Sequence, residues 1–457
     1  MRSKWVENLS FAVYPVASFL ILILGGAAAL QIIPLRNGAH LSFIDALFMS
    51  TSPVCVTGLS LYDIGKEFTL AGQITVLVLI QLGGLGIMTL STAFLAVFGR
   101  SLSFRSRFAV QDSYTHSPQA DIHSLLRSII IFTLSFEALG SALLFLRFRE
   151  QFDAPTAWYY AIFHSISAFC NAGFSLFTDN LMGYRGDILV NMAVAGLIIT
   201  GGIGFVVLHE IIRVMGRPLS PRRCWNSLSL HDRMVISVTT FLLISGTLFF
   251  LCSEWSTTLR ELPLREKLLA SFFQSVTPRT AGFNTLDYGS MNSLTLLGTI
   301  IFMFIGASPG STGGGVKTST LGVFLALFRA RITGTDHVHA FKRSISENTI
   351  SRAFSVFILS IAIVMLGTAG LLISEVGGIP FKESPYHLIE LAFETTSAFG
   401  TVGLSTGITA EFSSWGKLIL IAMMYIGRLG PLVLAVAIQP KKSRGQFFYA
   451  EEQMMIG

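Results

Sequence analysis

The sequence predicts an all-α polytopic membrane protein: four helix–pore-loop–helix repeats around a pseudo-fourfold central pore. Three observations predict it. The 457 residues are 52% hydrophobic and 13% charged, with mean hydropathy +0.64, where a soluble protein carries roughly 25% charged residues. Apolar runs long enough to cross a bilayer alternate with shorter ones. One glycine-centred segment recurs four times: Gly58, Gly173, Gly282 and Gly403 lie 115, 109 and 121 residues apart, a long-period internal repeat.

The predicted spans are 10–33, 71–98, 125–147, 187–214, 232–252, 292–330 (interrupted), 351–374 and 415–437. The first is too long for a signal-peptide core and lacks a cleavage site, so it reads as a retained helix. Between the members of each pair lies an amphipathic stretch, 42–56, 155–171, 265–279 and 384–400, too short to cross. Each leads directly into one glycine segment. The predicted units are 1–110 (filter loop 53–60), 111–225 (168–175), 226–340 (277–284, with a gating loop at 306–318) and 341–440 (398–405), then a cytoplasmic tail, 441–457.

Lysine and arginine set the orientation. Arg2, Lys4, Arg100, Arg105, Arg107, Arg217, Arg222, Arg223, Arg329, Arg331, Lys342, Arg343, Lys441, Lys442 and Arg444 fall on one side if each unit spans twice. That side is cytoplasmic, with both termini. Arg147 and Arg149 are an external exception, offset by Glu150 and Asp153. This distribution accounts for the net charge of +6 without nucleic acid. Cys55, Cys170, Cys224 and Cys252 show no paired spacing, which argues against disulfide or metal roles.

The glycine loops dip from outside. Irregular backbone at membrane depth must be buried in protein or line an aqueous cavity, so the four loops face one another. The backbone carbonyls expected on a cation are those of Val56, Thr57 and Gly58; Asn171, Ala172 and Gly173; Thr280, Ala281 and Gly282; and Thr401, Val402 and Gly403. Such a ring replaces the water a dehydrated cation loses. Glycine permits positive φ, and the short helices aim their negative ends at the centre. Asp63, Glu67, Asp179, Asp287 and Glu411 follow the loops as candidates for an external ring of carboxylates, or as plain solvated acids.

The second helix of each unit carries a small-residue block: Gly83-Gly84-Leu85-Gly86, Gly201-Gly202-Ile203-Gly204, Gly306-Ala307-Ser308-Pro309 and Gly427-Arg428-Leu429-Gly430. Small residues permit close helix approach or a wide cavity. Arg428, mid-helix, is expected to face the pore or to be tied to an acid or carbonyl. In the third unit Gly306, Gly310, Ser311, Thr312, Gly313, Gly314, Gly315 and Lys317 belong to a stretch too polar and glycine-rich to stay helical. It is expected to be a mobile intramembrane gate beneath the filter. It is no phosphate-binding loop, because Lys317 stands one place late. Glu137, Glu210 and Glu394 lie near apolar runs; Glu394 is a candidate buttress or cation partner, and His164 reads as a packed histidine.

Together these residues resemble the Ktr/Trk/HKT superfamily of potassium transporters, nearly end to end. The resemblance implies potassium uptake through a selective gated pore in the bacterial plasma membrane, with no catalysis. It implies filter glycines at Gly58, Gly173, Gly282 and Gly403, a gate from Gly306 to Lys317, and a positive charge below the filter at Arg428. The start of the first unit near residue 10 favours the Ktr type, and Gly58 favours potassium over sodium. That type implies a homodimer in membrane lipid on a cytosolic ring of nucleotide-binding regulatory subunits. No cofactor is implied in this chain; potassium is the substrate and sodium a candidate activator. An alternating-access, cation-coupled carrier is the alternative, which four in-phase units disfavour.

Overall fold

The computed structural model describes residues 13–98, 122–217, 220–335 and 337–430. Repeat one consists of an outer helix Val13–Ile32, a half-helix Phe43–Val54 and an inner helix Leu70–Phe98. Repeat two has Ile122–Phe148, the half-helix Ala154–Phe169, and an inner helix in two pieces, Ile188–Ile203 and Phe205–Met215. Repeat three has Leu230–Ser253, the half-helix Leu264–Val276, then Ser293–Phe304 and Thr318–Ile332 on either side of a non-helical stretch. Repeat four has Glu347–Leu371, the half-helix Leu388–Gly400 and Ser414–Leu429.

Local chemistry sets where the helices start. Ser42, Ser229, Asn292, Ser346 and Ser413 each accept a backbone N–H of the first turn, satisfying donors that would otherwise be orphaned. Asp153 precedes a helix with proline in its first turn, where the missing N–H costs nothing. Leu134, Phe241, Ile244, Leu248, Met365 and Leu366 on the outer helices are exposed, as lipid contact requires.

The repeats close into a ring. The inner helix of each packs against the half-helix of the next: Leu70–Phe98 on Ala154–Phe169, Ile188–Ile203 on Leu264–Val276, Ser293–Phe304 on Leu388–Gly400, and Ser414–Leu429 back on Phe43–Val54. Lys417 fastens the closing contact, donating to Asp45 at 2.7 Å while the Tyr62 hydroxyl donates to the other carboxyl oxygen at 3.1 Å. The pseudo-fourfold helical architecture expected from the sequence is therefore the fold.

One span differs from expectation. The run 187–214 is not a single helix: it turns by 105° at Gly204, where φ is +95°. Gly204 lies against the third repeat's non-helical stretch, and a methyl group built there would meet Pro309 O at 2.6 Å. Among the described residues, Arg127–Phe148, Leu230–Ser253 and Glu347–Val376 are each long and apolar enough to cross a membrane, and the bent pair passes the same test together. Arg2, Lys4, Arg100, Arg105, Arg107, Lys441, Lys442, Arg444 and the tail 441–457 lie outside the described residues, as do the ends of the expected spans 10–33 and 415–437. Arg147 pairs with Glu150, as its offset by a nearby acid suggests, and also with Asp187.

Candidate functional site

Each half-helix runs into its glycine loop through one repeated hook. Thr57 N donates to Ser52 O, Ala172 N to Ser167 O, and Val402 N to Ser397 O, at 2.7–2.8 Å. In repeat three the loop is one residue shorter, and Ala281 N reaches Thr277 O at 3.0 Å. The side chains of the same Ser and Thr residues add a second tie. Ser52 and Ser397 accept from Gly58 N and Gly403 N at 3.1 Å. Ser167 donates to Phe174 O at 2.8 Å and Thr277 to Phe283 O.

The backbone alternates in hand. Gly58, Gly173, Gly282 and Gly403 have φ of +100°, +71°, +76° and +89°. Two places earlier Val56, Asn171, Thr280 and Thr401 have φ of +53°, +60°, +67° and +49°. For a β-branched residue such as Val56 this is a genuine outlier, and strain of this kind persists only where the surroundings over-determine it. In an extended strand successive groups alternate sides. Reversing the hand at every second residue brings successive carbonyls to one side.

The four loops meet. A methyl group on Gly58 would lie 2.5 Å from Ala172 O, on Gly173 2.7 Å from Ala281 O, on Gly282 2.6 Å from Val402 O, and on Gly403 2.1 Å from Thr57 O. Each glycine thus abuts the carbonyl just before the next repeat's glycine, and the contact returns from the fourth repeat to the first. The loops are buried, and the negative ends of four half-helices point into them.

Outside the ring lies a cavity of about 230 Å³, lined by Gly58, Gly282 and Gly403 together with Asp179, Asn180 and Asn284. Of the acids expected around the mouth, Asp179 alone lines this cavity among the described residues. Asp63 caps a short helix and its N–H donates to Glu67, Asp287 accepts from Gly289 N, and Glu411 meets the Tyr386 hydroxyl. Of the two alternatives for these acids, the ring of carboxylates is not formed: Asp63, Glu67, Asp287 and Glu411 are engaged in local loop structure.

On the opposite face lies the segment from Gly306 to Lys317, tied in place. Gly306 N donates to Val316 O at 2.8 Å, and Gly314 N to the Thr401 hydroxyl at 3.0 Å. A methyl group on Gly313 would lie 2.0 Å from Thr280 Oγ1, so the segment touches the ring directly. Repeat two also holds it: Ser308 N donates to Gly202 O at 3.0 Å, Thr312 N to Gly201 O at 3.2 Å, and Gly310 O accepts from Phe205 N at 3.1 Å. Lys317 Nζ donates to Gly313 O at 2.7 Å. Arg428, 3% exposed, donates through Nη1 to Thr312 O and through Nη2 to Gly83 O at 2.9 Å. Of the two expectations for Arg428, the tie to carbonyls is what is found: it clamps the intramembrane segment to the first inner helix. The segment expected to be mobile is held at both ends and in the middle.

The inner-helix glycines serve close approach. A methyl group on Gly83 would lie 2.0 Å from Val54 O, on Gly201 2.0 Å from Phe169 O, and on Gly427 1.8 Å from Phe399 O. Each carbonyl belongs to the residue four places before a ring glycine. Glu394 is buried, with its carboxyl accepting from Ser405 and Thr409 hydroxyls at 2.7 Å and Thr406 N at 2.9 Å: it buttresses the fourth loop. His164, at the same place in repeat two, meets Ser175 Oγ at 2.9 Å and Tyr160 O at 2.7 Å. Glu137 is buried and accepts from Gln81 Nε2 at 3.2 Å, and Glu210 pairs with Arg213 at 3.3 Å.

Sequence reasoning overlooked two residues. Arg279, beside the third loop at the position of Cys55 and Cys170, is buried, and its Nη2 donates to Thr239 Oγ1 at 3.3 Å. An arginine inside a glycine segment, just past the end of an amphipathic half-helix, was a signal in itself. Asn180 reaches the mouth from outside the glycine segment, and no spacing pointed to it.

A family model described as TrkH, cation transport protein, matches residues 10–447. Ktr system potassium uptake protein B of Bacillus subtilis is 38% identical over 99% of this chain and 98% of its own. Potassium/sodium uptake protein NtpJ of Enterococcus hirae is 36% identical over 100% and 99%. Among solved structures, the potassium transporter TrkH from Vibrio parahaemolyticus superposes with TM-score 0.75 at 19% identity, over 96% of this chain and 87% of that one.

Proposed function

The chain belongs to the TrkH family of cation transport proteins, and from that premise we propose that it conducts potassium through the ring of glycine loops, with the intramembrane segment as its gate. Potassium uptake itself is the activity of its Ktr/Trk group; the pathway is our reading. One observation carries it: the cyclic contact of each ring glycine with the next repeat's carbonyl, on a backbone of alternating hand. Carbonyls so arranged replace an ion's hydration without a charged side chain.

In this reading Val56 to Gly58, Asn171 to Gly173, Thr280 to Gly282 and Thr401 to Gly403 form the filter, within units bounded at 1–110, 111–225, 226–340 and 341–440. Gly306, Gly310 to Gly315 and Lys317 form the gate, and Arg428 latches it. The contacts of Gly313 and Gly314 with Thr280 and Thr401 support this: opening the path requires the segment to leave those side chains. Both termini are cytoplasmic, and Arg217, Arg222, Arg223, Arg329 and Arg331 face that side, which fits a homodimer on a cytosolic nucleotide-binding ring. Sodium acts as an activator in this scheme.

Flux through purified protein in liposomes tests it. Potassium flux should exceed sodium flux, and deleting Ser311 to Gly315 should raise basal flux severalfold. Equal fluxes would remove the filter, and unchanged flux in the deletion would remove the gate.

A further inference from the structure

Asn180 lies outside the glycine segments and yet joins two adjacent filter loops, the second and the third. Its Nδ2 donates to Gly173 O at 3.4 Å, and its Oδ1 accepts from Asn284 N at 3.5 Å. The next residue repeats the link on the backbone, where Leu181 N donates to Asn284 O at 3.1 Å. Among the described residues, Gly173 is the one ring glycine whose carbonyl accepts a side-chain hydrogen bond. The ring is therefore not equivalent in its four quarters.

The arm carrying Asn180 is held rigidly. Phe177, three residues earlier, stacks on His164 with ring centroids 4.6 Å apart, and packs on Phe148, Tyr160 and Tyr184 at 5.3–5.5 Å. Asn180 N donates to Phe177 O at 3.1 Å, closing a turn. Asn180 itself has φ of +55°, a conformation that asparagine tolerates better than most residues. A side chain held by a packed arm against a backbone carbonyl fixes where that carbonyl points.

We propose that Asn180 is a positioning residue for the outer end of the filter, setting the direction of the Gly173 carbonyl and the spacing of repeats two and three, and so contributing to discrimination between alkali cations. The proposal rests on the filter reading above. Losing the donor frees the carbonyl to turn, and the ring then closes on a smaller ion as readily as on a larger one. Asn180→Asp keeps the acceptor for Asn284 N and removes the donor. Asn180→Gly removes both and keeps the backbone unstrained.

The test is uptake of potassium and of sodium by whole cells lacking their own potassium uptake, with KM and Vmax measured for each ion and the protein quantified in the membrane. Both variants should lower potassium preference, read as the ratio of the two KM values, by about threefold to tenfold, the weight of one hydrogen bond. A merely structural role would lower Vmax and abundance together and leave that ratio alone. Gly58→Ser is measured alongside. If it shifts the ratio and both Asn180 variants stay within twofold of the parent, the positioning role is refuted and the filter reading stands. If Gly58→Ser leaves the ratio unchanged as well, the filter reading fails and takes this proposal with it.

Discussion

Gly58→Ser places a side chain where the ring is closed. The new Cβ would lie 2.5 Å from Ala172 O, about 0.8 Å inside an ordinary carbon–oxygen contact of ~3.3 Å. Retreat in the other directions is blocked, because Gly403 Cα and Gly173 Cα stand 3.2 and 3.3 Å from the same point. The backbone adds to this, since φ at this position is +100° and a non-glycine residue in such a region costs about 1–3 kcal/mol. The outcome is displacement of Ala172 O, a ring oxygen, by a few tenths of an ångström, with relaxation of φ. A change of about 1.4 kcal/mol in the relative binding of two ions is tenfold in their ratio, and the strain brackets that figure. The expected result is a drop of about tenfold in the potassium-to-sodium uptake ratio, in cells that depend on the protein for potassium. An unchanged ratio, with the protein present in the membrane at the parent level, would refute the reasoning.

Arg428→Gln should raise basal potassium flux severalfold in liposomes, because it removes the donors to Thr312 O and Gly83 O; a fall with intact protein would contradict the latch. Glu394→Ala strands four hydrogen-bond donations from Ser405, Thr406 and Thr409, and should destabilise the protein by on the order of 3 kcal/mol, read as lower thermal stability in detergent, with Glu394→Gln milder. Gly427→Ala would put a methyl carbon 1.8 Å from Phe399 O, and overpacking of this kind costs about 1–3 kcal/mol. Its expected readout is loss of both thermal stability and uptake.

Much of this arrangement was legible in the chain. The short helices were expected at 42–56, 155–171, 265–279 and 384–400, and are found at Phe43–Val54, Ala154–Phe169, Leu264–Val276 and Leu388–Gly400. Length and amphipathicity are local properties, and glycine after an apolar run marks its end. The bend at Gly204 was not legible. Gly86 ends a nearly identical block, Gly83-Gly84-Leu85-Gly86, yet the helix Leu70–Phe98 runs through it, and among the described residues an added methyl there meets the Phe19 ring at 3.7 Å. What turns the chain at Gly204 is the third repeat's Pro309 and Gly310, more than a hundred residues away. The left-handed Val56 was equally hidden, since nothing in a β-branched residue suggests positive φ. Tertiary closure of the ring imposes it. For Arg428 the sequence posed the alternatives, and the partners that decide between them, Gly83 and Thr312, come from two other repeats.

The most direct measurement is the location of the ion itself. Crystals of the protein grown with thallium or rubidium in place of potassium would reveal the bound cation by its anomalous scattering. The account predicts density on the common axis, among the carbonyls of Thr57, Ala172, Ala281 and Val402. Ordered cations elsewhere in the membrane region, with none on that axis, would contradict it.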